Sequence, residues 1–344
     1  MPTMIGCQID PKLERHQAEG FRFPLGVFPV EPMTPKPGYS LHFEPADGDE
    51  HEGEWEAWPD RYVFDIVMSS ERVEAFCKLL LEMLPSRIYP IVDLLGQDAY
   101  REVDPYMAYE PVARDQFLDG IHRFRQFFYD DGMVGFGAMS EEPFLYIFVD
   151  EHKIVTVRAE PSLKDRIERL LKAFDLDACE DATGADGASH EHRTVLVTPT
   201  DQPDLLGPDE IVERLRDEWG LILNVDPDGN LDEEGKPLGT TPWRLVVRVE
   251  RGGGGSEARR RIRERYAEVL LYANCLRVAE EAAISQVEKM VGARKPGIED
   301  VVVVVADRLL PEQMAELLGE AKKKGKSAAA TPVSGTVKRG QWLE

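Results

Sequence analysis

The order of strand-like and helix-like runs in residues 193–321 most limits what this chain can fold into. Residues 194–198 are strand-like, and residues 208–219 place Ile211, Val212, Leu215 and Trp219 on one helical stripe. Residues 221–225 and 243–249 read as strands, and 301–305 is an unbroken valine run of strand length. Residues 257–291 space Ile262, Tyr266, Val269, Ala273, Leu276, Ala283 and Val287 as one face of a long helix. The resulting order, βαββαβ, predicts a ferredoxin-like α+β domain with an extended second helix. The valine run suits a central strand covered on both faces. A helix over 257–291 would be roughly 50 Å long at 1.5 Å per residue. That exceeds what a four-stranded sheet covers, so one end is expected to overhang and pack on the first domain or on another subunit.

Residues 1–176 predict a separate acidic α+β domain with a largely antiparallel sheet. The first 60 residues are rich in Pro and Gly, and those from 44 to 60 form an acidic loop holding Trp55 and Trp58. Strands are expected at 62–68, 87–95, 133–139, 144–149 and 153–159. Helices are expected at 71–84, with Val73, Phe76, Cys77, Leu80, Leu81 and Leu84 on one face, at 113–129 and at 161–174. Residues 177–192 are small and polar and read as an interdomain linker. Residues 322–344 open with four lysines in five positions and read as a basic, flexible tail.

Charge is unevenly placed. The 344 residues carry a net charge of -23. Residues 1–180 hold 18 Lys and Arg against 35 Asp and Glu, whereas residues 251–344 hold 17 against 13. Most of the surface should therefore repel nucleic acid and anionic lipid, and only the last quarter could attract them. No apolar run is long enough to span a bilayer, and no signal peptide is visible, so a cytoplasmic protein with no membrane contact is expected. The four cysteines are widely spaced and form no Cys-x-x-Cys pair, which fits free thiols.

Gly252 to Ser256 followed by an arginine row marks the point where the acidic chain turns basic. Glycine amides at a helix start can cradle phosphate, and guanidinium forks pair with its oxygens. The candidate anion-binding residues are Gly253, Gly254, Gly255, Ser256, Arg259, Arg260, Arg261 and Arg263. Both standard phosphate fingerprints fail: no lysine follows the glycines, and Glu257 stands where Gly-x-Gly-x-x-Gly needs its last glycine. Four glycines and a serine are also the usual composition of a flexible linker.

Other motifs are weaker. Residues 226–234 alternate oxygen ligands as a calcium loop does, but Leu231 holds the sixth position where that loop needs Gly. His190-Glu191-His192, with Cys179 upstream, has metal-ligand residue types in no zinc spacing, within the segment read as a linker, and no metal is assigned. No nucleophile elbow or His-Glu-x-x-His is present, and carboxylates are too abundant to single out an acid–base pair. The residues thus favour a non-enzymatic binding or assembly protein that needs no cofactor. Its region 252–265 would contact an anionic partner: an acidic protein surface, a nucleotide or a nucleic-acid backbone. The alternatives are a self-assembling structural protein, its basic tail meeting acidic surfaces of other copies, and an enzyme with an interdomain carboxylate site.

Overall fold

The computed structural model describes residues 5–46, 58–199, 201–202, 204–251, 263–292, 298–319 and 332–343. The chain divides into two compact units, Met1–Leu95 with Asp104–Asn224, and Gly96–Val103 with Val225–Glu344. Both mix helices and sheets. No helix among the described residues is long and apolar enough to cross a membrane.

In the first unit the strands are β1 (Gln17–Ala18), β2 (Phe21–Arg22), β3 (Val27–Pro29), β4 (Gly38–Glu44), β5 (Arg61–Val67), β6 (Arg87–Leu95), β7 (Val103–Ala108), β8 (Val112–Ala113), β9 (Val134–Ser140), β10 (Leu145–Val149), β11 (Val155–Ala159), β12 (His190–His192) and β13 (Leu221–Leu223). The helices are α1 (Ser70–Leu81), α2 (Arg114–Arg123), α3 (Arg125–Asp130), α4 (Lys164–Ala173) and α5 (Pro208–Trp219). The main sheet runs β13-β7-β6-β9-β10-β11-β5-β4, with β8 beside β6. Pairing from β6 through to β4 is antiparallel.

Strand alternation sends Phe64, Ile66, Val134, Phe136, Ile147, Val155 and Val157 to one face. There they meet the apolar stripes of the five helices in a single core, with Trp219 of α5 among the largest buried side chains. The 113–129 run divides at Phe124, whose φ of -110° and ψ of 34° leave the helical region. Residues 161–163 form a short turn that leads into α4.

Residues 177–192 do not link two domains; they lie within the first unit. Thr183 and Lys36 exchange backbone hydrogen bonds, Cys179 N–H donates to the Tyr39 carbonyl, and β12 pairs with β3. Small polar residues here let the chain lie flat on the unit instead of leaving it. The strand expected at 194–198 reduces to one bridge, Ile9 with Leu196. All four cysteines are free thiols.

In the second unit the elements are β14 (Thr241–Arg251), β15 (Arg263–Ala273), α6 (Leu276–Val291), β16 (Ile298–Arg308), α7 (Pro311–Leu317) and β17 (Thr336–Trp342). They form one antiparallel sheet in the order β16-β14-β15-β17. The order is therefore ββαβαβ in place of βαββαβ, because α5 and β13 belong to the first unit.

The long helix over 257–291 is overturned. Residues 263–273 are a strand, and helix begins only at Leu276. Ala267, Val269, Leu271 and Ala273 alternate inward, but Leu270 is buried as well, against Leu309 and Met314 on the opposite face. Burial on both faces hides period two, and the remaining apolar positions then fit period 3.6. With the helix halved, the expected overhang disappears. The tail contributes β17, so it is not flexible throughout. Asp98 and Arg308 form a buried ion pair in this unit, with the Arg308 Nε 3.0 Å from both carboxylate oxygens.

Candidate metal centre

The sharpest concentration of chemistry lies in the first unit. The antiparallel turn between β10 and β11 carries Asp150, Glu151 and His152. β12 pairs with β3 so that His190 and His192, two residues apart, share a face with their partners Pro29 and Val27. Val27 is fully buried, so that face looks inward. Turn and ribbon bring the imidazoles together: His190 Nε2 lies 2.9 Å from His152 Nε2 and 3.0 Å from His192 Nε2. Ring centroids are 4.7–4.9 Å apart with steep interplanar angles.

The other ring nitrogens explain this arrangement. His190 Nδ1 donates to the Ala188 carbonyl and His192 Nδ1 to the Gly132 carbonyl, each at 2.7 Å. His152 Nδ1 lies 3.3 Å from Asp150 Oδ2 and 3.5 Å from Glu151 Oε1. Acceptors on Nδ1 put the proton there and leave the Nε2 lone pairs facing one another, the usual outer-shell pattern of metal-binding histidine. Lone pairs so close repel unless a cation lies between them. Nitrogens about 2.0–2.1 Å from one ion stand about 2.9–3.0 Å apart at a right angle, which agrees with the separations found.

Electrostatics favours neutral ligands and a bound cation. Burial, followed by the charges of His152 and His190, holds the His192 pKa below its usual value. Burial also disfavours the His152 cation, but its hydrogen bond to Asp150 and the charges of Asp150, Glu151 and Asp186 outweigh this and raise its pKa. Nearby, burial and the charge of Glu151 push Asp93 up to about 6.

A buried clamp ties the ligand-bearing segments together. Asp131 is fully buried; its carboxylate accepts from Met133 N–H at 2.9 Å, and from Thr194 Oγ1 and Val195 N–H at 2.8 Å. It thereby joins the loop holding Gly132, the acceptor for His192, to the chain just after His192. Lys153, next to His152, points inward from a left-handed backbone with φ of 65° and donates to the Val134 carbonyl at 2.6 Å. Burial lowers its pKa to about 8, against the opposing pull of Asp131, Asp150 and Glu151. The loop also needs Gly26 and Gly132. A Cβ on Gly132 would lie 2.1 Å from the Gly26 oxygen, and one on Gly26 would lie 2.0 Å from the Gly132 nitrogen.

Of the residues singled out in the sequence for anion binding, Gly253, Gly254, Gly255, Ser256, Arg259, Arg260 and Arg261 lie outside the described residues, and of Arg263 only the backbone is described. Arg263 pairs with Arg251 across β14 and β15, so residues 252–262 join two strands and do not open a helix. The acidic turn after β13 behaves as a turn: Asp226 and Asp232 accept backbone N–H groups, and Arg277 engages both oxygens of Asp228.

His190 and His192 were visible in the sequence as metal-ligand types, whereas His152 was not connected to them. The available signal was the His-x-His spacing, which on a strand puts both rings on one face; reading the segment as a mobile linker concealed it. Cys179, the other residue considered with them, donates instead to Asp181. No family model, curated protein or solved structure matches this chain.

Proposed function

We infer that the first unit is a metal-binding module that holds one divalent transition-metal ion on His152, His190 and His192. The observation behind this reading is the convergence of three Nε2 atoms whose Nδ1 partners are already in place. Zinc suits an all-imidazole set. Three protein ligands are the number found in catalytic zinc sites, which keep a further position for water, whereas structural sites close with four. The half-buried rings leave room for that water at the surface of the unit. This reading departs from the cofactor-free binding protein expected from composition.

Titration of the full chain with zinc tests it. One equivalent should bind, raising stability by about 2.7 kcal/mol at a hundredfold excess over Kd. Cobalt should give a d–d spectrum of low-coordinate nitrogen ligation. His190→Ala with His192→Ala should abolish both effects. Absence of binding by the unaltered chain, or equal binding by the double variant, refutes the site.

A further inference from the structure

We propose that this centre hydrolyses uncharged carbonyl compounds, such as esters, and disfavours phosphate esters; this rests on the metal reading above. Three imidazoles add no charge, so a divalent ion there keeps its full +2 and lowers the pKa of bound water towards 7. The charges acting most strongly on His152 from neighbouring side chains are the carboxylates of Asp150, Glu151 and Asp186, and Glu151 also acts on His192. An approaching phosphate dianion would meet this carboxylate group.

The cations beside the ligands are committed elsewhere. Lys153 is buried, with Nζ on the Val134 carbonyl. Arg193, next to His192, donates to the Leu25 and Glu14 carbonyls. Arg15 is spent on Phe23, Ser70 and Asp130. Phosphoryl transfer depends on lysine, arginine or extra metal ions to offset charge on the transferring group. A neutral ester requires none of these: only the developing oxyanion must be stabilised, and the ion can do that.

The reaction balances with water alone. The water oxygen adds to the carbonyl carbon, and the bond from that carbon to the leaving oxygen breaks. One water proton passes to the leaving oxygen to give the alcohol, and the other remains with the acid, which ionises.

The test uses the full chain saturated with zinc, with p-nitrophenyl acetate and p-nitrophenyl phosphate as probes and free zinc as background. Ester turnover should require zinc, vanish in the His190→Ala/His192→Ala variant and exceed phosphate turnover by about a hundredfold. Glu151→Gln, assayed at saturating zinc, should shift the phosphate-to-ester ratio upward by about fivefold, the effect of one nearby charge at high effective dielectric. Stoichiometric zinc binding without ester turnover above the double variant overturns this inference and leaves the metal site standing. Phosphate turnover equal to ester turnover does the same. No zinc binding overturns both.

Discussion

Asp131→Asn should loosen the metal centre without touching a ligand. The wild-type carboxylate takes three donors, Met133 N–H through Oδ1 and Thr194 Oγ1 with Val195 N–H through Oδ2. An asparagine keeps one acceptor oxygen and turns an NH₂ group towards the other donors. The Thr194 hydroxyl can rotate to accept, but the Val195 N–H cannot and is left unpaired in the interior, at about 1–3 kcal/mol. The substitution also removes the charge that most opposes the desolvation of Lys153. Breaking a buried charge pair costs about 3–5 kcal/mol, and because the two effects overlap, a loss of about 3–4 kcal/mol is expected. Hydrogen exchange at Val195 and urea unfolding followed on first-unit peptides would report it. Zinc affinity should fall by about 10–100-fold, as for other outer-shell changes. Asp130→Asn, which loses only the Arg15 pair at a more exposed position, is the control. Unchanged zinc affinity together with a stability loss under 1 kcal/mol would refute the clamp.

Asp93→Asn should stabilise the first unit in a pH-dependent way. Its folded pKa of about 6 lies above the usual 3.8, so the stability its proton contributes is complete below about pH 4 and is lost as pH rises through 6. The variant's advantage should grow over that window to about 1–2 kcal/mol by pH 7, discounted for partial exposure; a pH-independent difference in urea midpoints would contradict it. In the second unit, Asp98→Ala should cost about 3–5 kcal/mol by stranding the Arg308 guanidinium in the interior, and faster hydrogen exchange across β16 would show it. Asp98→Leu with Arg308→Met should cost less than either single change; an additive loss would contradict this account.

Local chemistry was readable wherever one face of an element is buried. The stripe of Val73, Phe76, Cys77, Leu80 and Leu81 located α1, and the alternation of 144–149 and 153–159 located β10 and β11. Reading failed where burial is two-sided, as at Leu270 in β15, and where polar composition hid an ordered segment, as at residues 177–192.

Period and turn chemistry along the chain therefore determined most elements and the mixed α/β class, because those signals act over a few residues. Membership of α5 and β13 in the first unit, the halving of the long helix and the meeting of His152 with His190 and His192 were settled only in three dimensions. His152 and His190 are 38 residues apart. No spacing rule spans that distance, and their approach depends on the β3–β12 pairing, on the buried Asp131 and on two glycine backbones that touch.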